Sequence, residues 1–287
     1  MILSEFGYVR PETIDRALTF LGENADARPL AGGQSVINVL KGRMTAVSHL
    51  VDISRLPDLR GIRINGDRLE IGAAVTYAEI AGSAVIQEWW PRLAMVASRT
   101  VDVQVRNRGT IGGNCCYADP ASNFPPLLIA LDAEMRLRSV TGERTVPAEQ
   151  FAVTPFNPGL APGELLIAVV LPPPAADTRL AYQSFSLMPD SWALARAVVR
   201  LDLDSEGIIE RARVVLGGVE PVPRRLAEVE DALAGQSSAQ IAAADLATRV
   251  GSLPDAIHDV HASAGYRRHL AKVLVARALV DAIEGST

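Results

Sequence analysis

Residues 29–53, PLAGGQSVINVLKGRMTAVSHLVDI, decide the architecture. Leu30 and Ala31 end a short strand that runs into Gly32-Gly33. A helix from Val36 to about Arg43 follows, with Val36, Val39 and Leu40 on one face. His49 to Ile53 reads as the next strand. Strand, tight turn, helix and strand in so short a span indicate layered α/β structure. Upstream, Pro11 suits a first helical turn, Ile14, Ala17, Leu18 and Leu21 recur at helical spacing, and Gly22 can stop the helix.

Downstream, Gly66-Asp67 separates Ile62 and Ile64 from Leu69 and Ile71, a hairpin signal. Trp89, Leu93, Val96 and Thr100 predict one helix from Ala84 to about Thr100. Pro126 to Leu131 is expected to be helical, Met135 and Leu137 to lie on a strand, and Leu165 to Leu171 to form another. The run from Pro172 to Asp177, PPPAAD, reads as a linker. Beyond it, Tyr182 to Leu187, Ala197 to Leu203 and Ala212 to Val219 read as strands, the last two joined through Gly207. Two alanine-rich helices and a helix from about Ser263 to Ile283 close the sequence. Strands first and helices last predict an α+β unit.

Composition excludes several classes of function. Hydrophobic residues make up 48% and charged residues 21%, so a core is easily buried and global disorder is excluded. The net charge is −5, without a basic block, which argues against a nucleic-acid groove or an anionic membrane as main partner. No apolar stretch reaches the roughly 18–20 residues that cross a bilayer. The opening MILSEFGYVRPE lacks a basic region followed by an apolar one, so a secretory signal is not expected, and a cytoplasmic location is. Cys115 and Cys116 are adjacent and can neither frame a disulfide scaffold nor supply a four-thiolate cluster. They read as small buried apolar residues. No metal site is expected: His258 and His261 lack a third ligand.

The chemistry concentrates in two passages, Ala31-Gly32-Gly33-Gln34-Ser35 and Thr110-Ile111-Gly112-Gly113-Asn114, each read as preceding a helix. Glycine pairs there let the backbone turn and present consecutive N–H groups, and the following helix adds its own unsatisfied donors. Ser35, Thr110 and Asn114 could add side-chain hydrogen bonds. Two such loops facing each other would hold a diphosphate without lysine or arginine. One pair alone could equally be an ordinary strand–helix turn, and neither matches the mononucleotide or dinucleotide glycine fingerprints. Arg106 and Arg108 could serve the diphosphate, a partner subunit, or only a structural bond. Asp119 could cap a turn or touch the cofactor, and Trp89 and Trp90 could pack a helix face or mark a subunit contact.

The segments PLAGGQSVINVLKGRM (29–44), LEIGAAVTYAEI (69–80), VQVRNRGTIGGNCCYADPASNFPPLLIALDAEM (103–135), PGELLIAVVLP (162–172) and GYRRHLAKVLVARAL (265–279) occur in the order of one family. The whole chain resembles the FAD-binding medium subunit of the molybdenum hydroxylases, the carbon monoxide dehydrogenase and xanthine dehydrogenase type. The resemblance implies an α+β protein: a p-cresol methylhydroxylase-type FAD-binding domain over 1–175, in subdomains of about 1–58 and 59–175, then a smaller α+β domain over 178–287. It implies FAD contacts at Ala31, Gly32, Gly33, Gln34, Ser35 and Val36, and at Thr110, Ile111, Gly112, Gly113 and Asn114. Leu166, Asn123 (commonly aspartate, toward the adenosine side) and Trp192 (commonly tyrosine, beside the flavin ring) are implied as well.

Near Ser184 and Met188 a lysine or arginine common in the family is missing, and Tyr266-Arg267-Arg268 could hold either a helix start or FAD. The implied role is electron transfer, with no catalytic side chain. Electrons would pass from 2Fe-2S clusters of a small subunit to FAD and on to an external acceptor, with substrate hydroxylated at molybdopterin in a large subunit, as a dimer of heterotrimers. The alternative is a self-sufficient flavin oxidase or dehydrogenase of the same fold; a bare nucleotide-binding module is a third.

Overall fold

The chain begins with a small parallel sheet made of β1 (Gly7–Val9), β2 (Arg28–Leu30) and β3 (His49–Asp52), in the order β1-β3-β2. Helices α1 (Ile14–Glu23) and α2 (Val36–Lys41) connect these strands. The computed structural model describes residues 3–100, 102–188 and 191–285. Thr13 caps α1, its hydroxyl accepting from the Arg16 N–H at 3.3 Å. Pro11 therefore lies before the cap and not in the first turn. Ile14, Ala17, Leu18 and Leu21 bury the apolar stripe against Val51, Ile53 and Ile167. The second helix stops at Lys41, short of Arg43, because Gly42 and Arg43 turn the chain away, Arg43 with φ +53°.

The second sheet is antiparallel. It comprises β4 (Ile62–Asn65), β5 (Arg68–Gly72), β6 (Glu134–Ser139) and β7 (Gly142–Pro147), with β10 (Leu165–Leu171) at its centre in the order β4-β5-β10-β6-β7. The pair β8 (Ala152–Thr154) and β9 (Asn157–Pro158) lies apart. Gly66, at φ +63°, turns the expected hairpin. Between β5 and β6 run α3 (Tyr77–Gly82), α4 (Ala84–Trp89), α5 (Pro91–Arg99), α6 (Val103–Arg106), α7 (Ile111–Tyr117) and α8 (Phe124–Ala130), and α9 (Ala148–Phe151) follows β7. The single helix expected over 84–100 is thus two. Pro91 supplies no N–H, and Trp90 leaves the helical region at φ −136°, ψ 67°. Helix α3 starts on a capping box in which Thr76 and Glu79 bond each other's backbone N–H.

The third sheet is β11 (Asp177–Ser186), β12 (Ala193–Leu203), β13 (Ile209–Gly217) and β14 (Arg224–Arg225), paired in sequence. Helices α10 (Ala227–Leu233), α11 (Ala243–Ala247) and α12 (Ala264–Glu284) follow. The segment read as a linker is tied down: β11 already starts at Asp177, and the Pro172 carbonyl accepts from Trp90 Nε1 at 3.2 Å. Strand β12 is buried throughout. Ala195, Ala197, Val199 and Leu201 join Leu270, Leu274 and Val275 in one core, whereas Val198 and Val215 join Phe124, Leu127 and Leu128 in another. Helix α8 is thereby sandwiched between the second and third sheets. Gly217 lies under Pro126; a Cβ there would be 2.7 Å from Pro126 Cγ.

Candidate functional site

A cleft of about 460 Å³ opens where β2 and β3 end, lined by Ala31 and Gly32 after β2 and by Ser54 and Arg55 after β3. Ligands of parallel sheets sit at carboxyl ends of strands because loops leave there together and helices begin there. The opposite wall is Thr76, Arg108 and Thr110.

The first glycine passage is rich in available donors. Among the described residues, the backbone N–H groups of Gly32, Gly33, Gln34, Ser35 and Val36 find no acceptor within the chain, and Ile37 is the first to donate, to the Gly33 carbonyl at 3.3 Å. Gly33 has φ +77°, a conformation glycine adopts without strain. Ser35 occupies the N-cap of α2 without a cap bond from its hydroxyl. The exposed Gln34 donates to the Gly32 carbonyl at 3.2 Å. Successive unpaired N–H groups of this kind bind anions.

The second passage is built differently from the expectation. Gly112 and Gly113 lie inside the first turn of α7, not before it. Ile111 donates to the Val75 carbonyl at 3.0 Å, Gly112 to Ala73 at 3.0 Å, and Gly113 to the Thr110 hydroxyl at 3.0 Å. These N–H groups serve the fold. Gly112 is buried against Ala73, where a Cβ would approach the Ala73 carbonyl to 2.6 Å, whereas Gly113 is exposed and a Cβ would meet only Thr110 Oγ1. The first passage meets the chain just before the second, since a Cβ on Gly32 would lie 2.0 Å from the Arg108 carbonyl oxygen. Glycine is therefore required at Gly32 and Gly112 for packing, and at Gly113 it leaves an open surface.

Arginines surround the cleft, which glycine spacing did not announce. Arg55 and Arg108 line it, and Arg60 does so while bonding Glu79 at 2.5 Å and the Ser54 carbonyl at 3.2 Å. Arg55 was legible in principle: it follows β3 as Gly32 follows β2. Asp52 anchors this loop, accepting from Tyr8 Oη at 2.5 Å and from the Ser54 N–H at 3.0 Å. Burial pushes its carboxyl upward, but the bonds from Ser54 and Tyr8 hold it below the usual carboxylate range.

The remaining expected residues sit as follows. Asn114 Oδ1 accepts from the Phe124 N–H at 3.4 Å and its side chain bonds the buried Tyr77 hydroxyl, joining α7 to α3 and α8. Asn123 donates to Thr100 Oγ1 at 2.9 Å. Leu166 is buried in β10, 3% exposed, and packs in the core of the second sheet. Trp192 is 60% exposed on the β11–β12 connection; Asp190 of the same passage lies outside the described residues. Arg267 is structural: it donates to the Leu194 carbonyl at 2.5 Å, to Gly218 at 2.9 Å and to Asp259 at 2.6 Å. Arg268 bonds the Leu253 carbonyl at 3.0 Å. Asp119 closes a turn, accepting from the Ala121 N–H at 2.8 Å. Trp90 is buried beneath Arg200, whose guanidinium lies 5.3 Å from the ring centre. Among the described residues no cluster of His, Cys, Asp or Glu could hold a metal, and no helix is long and apolar enough to cross a membrane.

Parallel-strand ends carrying a run of free N–H groups, backed by an antiparallel sheet and an α+β C-terminal part, make a cleft of the class that cradles the diphosphate of a nucleotide cofactor. Residues 4–174 match the model of the FAD binding domain in molybdopterin dehydrogenase, and 181–282 that of the CO dehydrogenase flavoprotein C-terminal domain. The chain is 36% identical to the 6-hydroxypseudooxynicotine dehydrogenase complex subunit alpha of Paenarthrobacter nicotinovorans, over 97% of this chain and 94% of that one. It is 33% identical to the carbon monoxide dehydrogenase medium chain of Hydrogenophaga pseudoflava, over 97% of each. A solved carbon monoxide dehydrogenase chain from that organism superimposes over 100% of both chains with a TM-score of 0.95 and 34% identity. The chain belongs to the family of FAD-binding medium subunits of the molybdenum hydroxylases, the carbon monoxide dehydrogenase and xanthine dehydrogenase group.

Proposed function

We propose that this chain holds FAD as an electron-transfer subunit, between iron–sulfur clusters of a small partner chain and an external electron acceptor. A large partner chain would carry molybdopterin and hydroxylate the substrate. The observation that carries the FAD site is the run of unpaired N–H groups from Gly32 to Val36. It fits a diphosphate, and the exposed Gly113, three residues past Thr110 of the opposite wall, offers a surface without a side chain. Ala31 and Ile111 position these turns, the Thr110 hydroxyl lines the cleft, and Asn114 would act from behind it by tying α7 to α3 and α8. Asn123 and the Leu166 backbone would serve the adenosine end, and Trp192 would cover one face of the flavin. Bound FAD supplies the redox chemistry; the protein supplies position, electrostatics and exclusion of water. The division into a two-part FAD-binding domain and a C-terminal domain belongs to the same proposal.

The test uses the assembled complex. FAD should be released on denaturation, and two further chains should co-purify. Stripping FAD should stop transfer to the acceptor while substrate still reduces the clusters, because FAD is the exit of the relay. A purified single chain that oxidised a small molecule at about 1–1,000 per second would establish a self-sufficient oxidase instead.

A further inference from the structure

Strand β12 carries a buried cation without a counter-charge. Arg196 is 4% exposed, its Nε and Nη1 have no hydrogen-bond partner, and no carboxylate pairs with it among the described residues. The other buried arginines differ in having counter-charges: Arg200 has Asp202 and Asp132, and Arg267, although its Nε is also unpartnered, has Asp259. A guanidinium cannot lose its proton, so burying it unpaired is costly unless something else supplies acceptors. Arg196 faces away from α12, on the side where Val198 meets the core of α8. Tyr182 lies against it; burial pushes that phenol upward, and the Arg196 charge and hydrogen bond oppose the shift. Across β13 its register partner is Gly217, seated under Pro126 in the first turn of α8, and Asn114 reaches the start of that helix. Across β11 its partner is Ser184, which is exposed, so solvent reaches the sheet one strand away from the sealed Nε and Nη1.

We infer that Arg196 is a cofactor-positioning residue whose free Nε and Nη1 donate to ring-edge acceptor atoms of FAD, with Tyr182 fixing the guanidinium plane. This rests on the proposed FAD site. The diphosphate already has the N–H groups of Gly32 to Val36, and the flavin ring carries carbonyls and nitrogens that can accept from a planar guanidinium. A charged donor buried in advance strengthens such bonds, because no water competes for it.

The experiment strips FAD from the full chain, with any co-purifying subunits, and compares wild type with Arg196→Met and Arg196→Lys. FAD affinity is read by flavin fluorescence, and flavin-free stability by thermal unfolding. Arg196→Met should bind FAD at least about tenfold more weakly. Its flavin-free melting temperature should hold or rise, since an unpaired buried charge is removed. Arg196→Lys, which keeps the charge but loses the fork, should also bind more weakly and decides the matter if the Met variant does not fold. Wild-type affinity in either folded variant overturns the inference. So does a flavin-free melting temperature that falls in step with affinity, which makes Arg196 structural. A wild type that takes up no FAD overturns the proposed function and this inference together; in the other failures wild type is loaded.

Discussion

Asp132 Oδ1 accepts a hydrogen bond from Arg213 Nε at 2.7 Å, and its Oδ2 takes Arg200 Nη1 at 3.2 Å. One carboxylate, held at φ +51° just past α8, thus ties the end of that helix to two strands of the third sheet. Asparagine tolerates the same backbone angle, so Asp132→Asn removes the charge without adding strain. We expect stability to fall by about 1–2 kcal/mol, allowing for the partial exposure of this site. Urea unfolding would show it as a lower midpoint at unchanged slope.

Gly32→Ala should be worse than Gly113→Ala, although both are glycines of the same motif type. The first places a Cβ 2.0 Å from a backbone carbonyl, and the second meets only a rotatable hydroxyl. Gly32→Ala is expected to cost about 1–3 kcal/mol and to lose FAD. Gly113→Val, whose branched side chain fills the open surface, should lose FAD while largely keeping its melting temperature. Flavin content and thermal unfolding of both variants separate these outcomes. Full flavin occupancy in folded Gly113→Val would reduce that glycine to a turn residue.

Acid should weaken the C-terminal part through Asp259. Burial acts to raise its carboxyl, but the bonds from Arg267 and from the Ala262 and His261 N–H groups hold it down to about 2. A carboxyl lowered on folding stabilises above its ordinary value of 3.8, and that contribution disappears as pH falls toward about 2. Asp259→Asn should therefore melt below wild type at pH 6, with the difference closing between about pH 4 and pH 2. A gap that stays constant with pH would show that the charge of Asp259 contributes nothing.

The native thiols should be inert. Burial pushes Cys116 up to about 12 and Cys115 well above its ordinary value, so almost no thiolate exists near neutrality. A thiol reagent at pH 8 should label both cysteines only after denaturation. Rapid labelling of the native chain would show that α7 opens readily.

Much of this was legible in one sequence. The stripe of α1, the Gly66 hairpin and the apolar run of β10 follow directly from periodicity, because each element buries its own pattern. What escaped depends on distant partners. The break at Pro91 was hidden because Trp89, Leu93 and Val96 recur at helical spacing across it, while Trp90 is held by Pro172 far along the chain. Similar glycine pairs suggested similar donor sets. The Gly112 and Ile111 donors are consumed by Ala73 and Val75, a pairing that no local pattern announces. Arg196 went unnoticed for the same reason: an arginine within a strand shows neither its burial nor its missing counter-charge.

Helix α8 gives the molecule a boundary problem. The two family units meet between residues 174 and 181, yet Val198 and Val215 from beyond that junction complete the packing of Phe124, Leu127 and Leu128 before it. The boundary between the two family matches therefore does not coincide with a boundary in the packing. A fragment cut at the junction would carry a sticky apolar scar along α8. A chimera that exchanged the C-terminal unit between relatives would have to carry matching residues on both sides of the seam. In this chain a change in the size of Val198 or Val215 on one side of the seam calls for a matching change at Phe124, Leu127 or Leu128 on the other.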